Sequence, residues 1–128
     1  MSAPSNIAGS LPRIILIEDD APLRAALRFA LQAAGYRVGG ASRAEPVLES
    51  DFPSEDVCLI LDQQLPGISG IEALEVLRAR GVDAPTFLMT TQPGARLRAR
   101  AKAARACILE KPILGDALVV AIRNLSPG

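Results

Sequence analysis

The 128-residue chain predicts an α/β domain in which a parallel sheet is covered by helices on both faces. Three observations carry that expectation. The length fits one compact domain and is too short for two ordinary ones. Five short apolar runs alternate with five helix-like patterns, the order that gives a parallel sheet. The runs are near-continuously apolar rather than alternating, as strands buried on both faces must be.

Each element has its own signal. Residues 1–11, "MSAPSNIAGSL", are small, polar and without periodicity, and are expected to form a flexible lead-in to a domain spanning 12–126. "RIILI" (13–17) is the first strand and runs into three acids. In "APLRAALRFALQAAG" (21–35), Leu23, Ala26, Leu27, Ala30, Leu31 and Ala34 share one helical face, and Gly35 is a stop. "YRVGGA" supplies a brief second strand. "SRAEPVLES" places Ser42 and Glu45 at capping-box spacing before a short helix. "DVCLIL" (56–61) reads as a fully buried strand. "SGIEALEVLRARG" offers a second capping box, Ser69 with Glu72, and a stripe of Ala73, Leu74 and Leu77. "PTFLMT" (85–90), "ARLRARAKAARA" (95–106), "CILE" (107–110) and "LGDALVVAIRNL" (114–125) complete the alternation.

Composition narrows the function. Apolar residues make up 49% of the chain and aromatics 3%, so the core must be built from Leu, Ile, Val and Ala. Fourteen basic residues balance 14 acidic ones, which gives no global pull toward nucleic acid or membrane. No histidine is present, so the usual general base and the commonest metal ligand are both missing. Cys58 and Cys107 lie in apolar runs and read as core thiols in a reducing cytoplasm, without a disulfide. No apolar stretch approaches the ~20 residues of a membrane span.

The carboxyl ends of the strands hold the chemistry. Ligands of open parallel α/β sheets bind beyond those ends. Here they present Glu18, Asp19 and Asp20 after the first strand, Asp62 after the third, Thr90 and Thr91 after the fourth and Lys111 after the fifth. Asp20, directly before "APLR", reads as a helix cap rather than a ligand. The remaining carboxylates would repel one another without a cation between them. An all-oxygen donor set favours a hard ion such as Mg²⁺. With a lysine and a threonine hydroxyl to meet the oxygens of an anion, these are the parts for phosphoryl transfer to a carboxylate nucleophile, Asp62.

Four motifs at these spacings, "LIEDD", "LDQQLPGISG", "FLMTT" and "ILEKPI", closely resemble the receiver domain of two-component response regulators over residues 13–125. The resemblance implies a doubly wound, flavodoxin-like sheet in the order 2-1-3-4-5. It makes Asp62 the phospho-acceptor and Asp19 a direct Mg²⁺ ligand, with Glu18 acting through a metal-bound water and the Gln64 backbone carbonyl completing the metal set. Thr90 becomes the switch hydroxyl. Lys111 becomes the contact to the phosphoryl group, followed by a cis Lys-Pro bond. A receiver is a signalling switch, not an enzyme in the ordinary sense, although it promotes its own phosphorylation and dephosphorylation.

Two positions depart from the family pattern. Ile108 replaces the usual Tyr or Phe three residues before the lysine, and Thr91 replaces a smaller residue after the switch hydroxyl. Both bear on readout. The fourth helical pattern carries Arg96, Arg98, Arg100, Lys102 and Arg105 without an acid, around a narrow stripe of Leu97, Ala101 and Ala104. That pattern predicts a weakly anchored helix whose basic face is a candidate surface for an acidic partner.

The expected function is that of a stand-alone, chemotaxis-type receiver. It takes a phosphoryl group from a histidine kinase or phosphotransfer protein and acts on a downstream protein, without a DNA-binding domain or a membrane. The alternatives are a phosphate sink, a phosphorylation-independent interaction module and the detached half of a larger regulator. An aspartyl-phosphate phosphatase fits less well, because it wants a second acid where Gln64 stands.

Overall fold

The computed structural model describes residues 11–52 and 56–125. Residues 1–10 of the expected lead-in, and residue 126 at the expected end of the domain, lie outside the described residues.

Five strands form one parallel sheet: β1 (Arg13–Ile17), β2 (Val38–Ala41), β3 (Val57–Asp62), β4 (Thr86–Thr90) and β5 (Ala106–Glu110). Their order is β2-β1-β3-β4-β5, as the resemblance implies. Helices α1 (Ala21–Ala33) and α5 (Gly115–Leu125) pack together on one face. The other face carries α2 (Glu45–Glu49), α3 (Gly70–Ala79) and α4 (Ala95–Ala103). Residues alternate along each strand between the two faces. Ile14, Leu16 and Ile60 therefore join the α1/α5 layer, while Ile15, Ile17, Leu59 and Leu61 join the opposite one.

Helix ends follow the local chemistry with two corrections. Asp20 caps α1 through its Oδ1, which accepts from the Leu23 amide at 3.1 Å. The Ser69–Glu72 capping box forms in full. The expected Ser42–Glu45 box does not: Ala44 occupies the cap position of α2 without a side-chain bond. Glu45 instead accepts from the Ile68 amide at 3.0 Å, so a distant donor takes the carboxylate a local cap would have used. The fourth helix is also shorter than its pattern, ending at Ala103. Arg105 has φ +61, a left-handed conformation that no helix continues through, and β5 starts one residue later.

Burial follows position in the sheet. All six residues of central β3 are buried, whereas edge strand β5 has neighbours on one side only and contains no fully buried residue. Cys58 is buried, and loss of solvation pushes its thiol up to about 12. Cys107 is exposed on the edge strand, which corrects its reading as a core thiol. Both cysteines are free.

The two helices flanking β4 are anchored very differently. Helix α3 buries Ile71, Ala73, Leu74 and Leu77, while α4 buries only Ala101 within its length, with Ala104 just beyond and Leu97 half-buried. What α4 lacks in apolar contact it partly recovers at one end. The Arg78 guanidinium on α3 donates to the carbonyls of Val82 (3.1 Å), Ala84 (2.9 Å), Ala104 (2.8 Å) and Arg105 (3.3 Å). One side chain thus fastens the end of α4 to the loop before β4.

Truncation should report this contrast. Leu77→Ala should cost about 3 kcal/mol, as expected for a fully buried leucine, and Leu97→Ala about 1 kcal/mol. Urea unfolding with an unchanged m-value checks both. Equal losses would mean that α4 is as firmly seated as α3.

Candidate functional site

Register places the site. Ile17 pairs with Leu61, Asp62 with Met89, and Thr90 with Glu110. The next residue along β1 and the next along β5 are Glu18 and Lys111, so Glu18, Asp62, Thr90 and Lys111 emerge at one edge of the sheet. A slip of one residue between neighbouring strands would turn these side chains to opposite faces.

The structure brings together the three acids expected to hold a metal. Oxygens of Glu18, Asp19 and Asp62 all lie within 4.8 Å of one another. Glu18 and Asp62 are buried, while Asp19 is exposed. The Lys111 Nζ stands between the two buried acids, 3.1 Å from Asp62 Oδ1 and 3.2 Å from Glu18 Oε1. Asp62 Oδ1 also accepts from the Gln64 amide at 3.2 Å, and Glu18 Oε2 from the Asp20 amide at 3.2 Å. Thr90 is buried, and its hydroxyl donates only a long bond, 3.4 Å, to the Thr91 carbonyl. It is therefore weakly committed. Thr91 is exposed, and the Lys111–Pro112 bond is cis.

Electrostatics explain why one lysine is not enough. Burial pushes the Glu18 carboxyl well above the usual carboxylate range, and its hydrogen bond with Asp62 raises it further. Burial pulls the Lys111 ammonium down, but its hydrogen bonds and charge contacts with Asp62 and Glu18 outweigh this and raise it overall. Glu18, Asp19 and Asp62 crowd around one ammonium, and the raised Glu18 carboxyl is the mark of negative charge that this ammonium does not relieve. An all-oxygen pocket with two buried walls and one open one fits a hard divalent cation that keeps some of its waters.

Several residues that build the site carry no signal in the sequence. Arg24 on α1 donates to the Glu18 carbonyl at 2.6 Å, fixing the turn that aims the carboxylate. Gln63 ties the loop after Asp62 in two directions. Its amide donates to the Met89 carbonyl at 2.8 Å, and its Oε1 accepts from the Ile71 amide at 2.8 Å, at the start of α3. Gly70 lets that helix start directly against the Asp62 carbonyl, where a Cβ would collide with it.

The basic residues are less available than their sequence suggests. Arg100 pairs with Glu75 (2.5 Å), Arg98 with Glu110 (3.3 Å) and Arg105 with Asp83 (2.9 Å). Arg105 lies past the end of α4 and not on its face. Among the described residues, Arg96 and Lys102 have no ion pair. Ile108 is half-buried beneath α4, in the same layer as Leu97.

A family model described as "Response regulator receiver domain" matches residues 14–123. The transcriptional regulatory protein FixJ of Azorhizobium caulinodans is 36% identical over 115 residues, covering 89% of this chain and 54% of that protein. The C4-dicarboxylate transport transcriptional regulatory protein DctD of Pseudomonas aeruginosa is 33% identical over 113 residues, covering 88% and 24%. The chain therefore spans about half, or less, of the length of these relatives. Among solved structures, the response regulator StyR superposes with a TM-score of 0.80 at 35% identity, covering 89% of this chain and 58% of that one. The receiver domain of the LuxO repressor protein from Vibrio parahaemolyticus, at 23% identity, shares the fold with a TM-score of 0.79, covering 89% and 88%.

Surplus negative charge at the strand ends should weaken the metal-free protein. Asp19→Asn should raise its melting temperature by about 1–3 °C in EDTA, the modest size expected for an exposed charge. High salt should shrink the gain. A lower or unchanged melting temperature would mean that the three acids do not repel one another.

Proposed function

The chain belongs to the response regulator receiver-domain family, and from that premise we propose that it is a phosphorylation switch whose acceptor is Asp62. The observation that carries this reading is the Lys111 ammonium bridging Asp62 (3.1 Å) and Glu18 (3.2 Å) at the mouth of a three-carboxylate pocket. Receiver domains bind Mg²⁺ at such an acidic pocket. Here Asp19, Asp62 and the Gln64 carbonyl would hold the ion, with Glu18 supporting it through a water. The bound ion would screen charge on the incoming phosphoryl oxygens.

The chain's own residues then divide the work. An Asp62 carboxylate oxygen attacks phosphorus as the bond from phosphorus to the donor's imidazole nitrogen breaks, and that nitrogen keeps the electron pair. Lys111 moves its hydrogen bonding from Asp62 to a phosphoryl oxygen, keeping an anion beside its charge. Thr90 gives up its 3.4 Å bond to the Thr91 carbonyl and donates to another phosphoryl oxygen. Because these 128 residues contain no histidine, the donor histidine lies outside them, on a histidine kinase or phosphotransfer protein.

Readout follows from the weakest part of the fold. Movement of Thr90 falls on the loop from Thr91 to Gly94, which contains Gln92 at φ +48, and then on lightly seated α4. Ile108 has no ring to swing and a stiff branched χ1, so the loop and helix carry the change. Arg96 and Lys102 are the charges left for an acidic downstream protein. No helix among the described residues is long and apolar enough to cross a membrane.

Incubation with acetyl phosphate tests the acceptor. Wild-type protein with Mg²⁺ should gain the mass of one phosphoryl group, while Asp62→Asn and wild type in EDTA should gain none. Wild-type yield in the variant would contradict the assignment of Asp62. Undiminished yield in EDTA would contradict the metal.

A further inference from the structure

The loop between Asp62 and Gly70 is fastened unevenly. Its inner end is fixed by Gln63, whose amide and side chain bond β4 and α3, and by the Gly70 amide, which donates to the Gln63 carbonyl at 3.2 Å. Its outer arc, Leu65 to Ile68, bends through Pro66 and Gly67 toward α2. There the carboxylate of Glu45, 23 residues away in sequence, accepts from the Ile68 amide at 3.0 Å. Gly67 has φ +78, and a Cβ on it would collide with Glu45 Oε2. The turn therefore closes directly onto the carboxylate. Glu45 Oε1 is enclosed without a hydrogen-bond partner among the described residues, so the Ile68 amide is the contact between elements that holds this carboxylate.

Gln64 lies between the fixed inner end and this outer contact. The direction of its carbonyl depends on both. That carbonyl belongs to the Gln64–Leu65 peptide, whose Leu65 amide donates to the Gln63 carbonyl at 3.2 Å, so displacing the arc would turn this peptide, while the Gln64 amide, on the preceding peptide, is bonded to Asp62 Oδ1.

We propose that Glu45 is a positioning residue for the metal site: it holds the outer arc so that the Gln64 carbonyl faces the pocket formed by Glu18, Asp19 and Asp62. This rests on the reading of that pocket as a divalent-cation site. The Ile68 amide keeps the Glu45 carboxyl below its usual range, so the acceptor is ionised at neutral pH. The role also accounts for the missing capping box on α2, since the side chain is directed to another element. Outer partners that orient a metal ligand commonly change affinity by about tenfold or more. A contact acting through four residues of loop should come in lower.

The test is Mg²⁺ titration of wild type, Glu45→Ala, Glu45→Gln and Gly67→Ala by calorimetry, with amide NMR of each. Glu45→Ala should weaken Mg²⁺ binding roughly fivefold, the size of one ordinary hydrogen bond, and shift the Ile68 and Gln64 amides. Glu45→Gln keeps an acceptor oxygen and should stay within about twofold of wild type. Gly67→Ala, which displaces the turn from the other side, should reproduce the loss. A merely structural role would lower the melting temperature of Glu45→Ala and leave Mg²⁺ affinity intact, and that result overturns the inference alone. Absence of Mg²⁺ binding in the wild type overturns it together with the reading of the pocket.

Discussion

One ammonium group, that of Lys111, stands between two buried carboxylates, and much of the architecture serves to put it there. The central strands must keep a register that brings Glu18, Asp62 and Lys111 to one edge of the sheet. The apolar layers on both faces exclude the water that would otherwise solvate these charges. A third carboxylate, Asp19, then leaves the site with more negative charge than its lysine can balance. Left alone, such a site is a cost to the fold. On the proposed reading, a divalent cation and a phosphoryl group would turn it into a place where new negative charge is stabilised by groups already aligned.

Rigidity and mobility are sorted around that point. Asp62 is held from behind, by Gln63 on β4 and α3 and by the start of α3 against its carbonyl. Beyond Thr90 the chain is much looser. Helix α4 buries little, and Arg78 fastens it at its C-terminal end only. On the proposed reading, an event at Asp62 would be transmitted outward through Thr90 and not absorbed by β3. Arg100 with Glu75 and Arg98 with Glu110 tie α4 to α3 and β5 through solvent-accessible ion pairs, which hold a helix only weakly.

The fold was legible because long apolar strands and periodic helices leave few arrangements open. The carboxylates and the lysine were legible for a related reason: strand ends are where an α/β sheet gathers its ligands, and acids placed there have little structural purpose. Contacts between elements were not legible. Glu45 sits at a spacing that suits a cap for its own helix, yet nothing local shows that the Ile68 amide competes for it and wins. Nothing local marks Arg78, because its acceptors are mainly backbone carbonyls that any residue provides. Cys107 misled because an apolar run marks a strand but not its place in the sheet, and an edge strand leaves some of its residues exposed. The arginines in and just after α4 were visible as charges, but the acids that pair with them come from α3, β5 and the loop before β4.

The most direct test of the central claim is a double-mutant cycle between Lys111 and Asp62, with unfolding free energies measured in urea without divalent cations. Lys111→Met should cost the wild type several kcal/mol, because it strands two buried carboxylates without their cation. In an Asp62→Asn background the same substitution should cost far less. An equal cost in both backgrounds would contradict the account, because Lys111 would then stabilise the fold without regard to the charge it is said to hold.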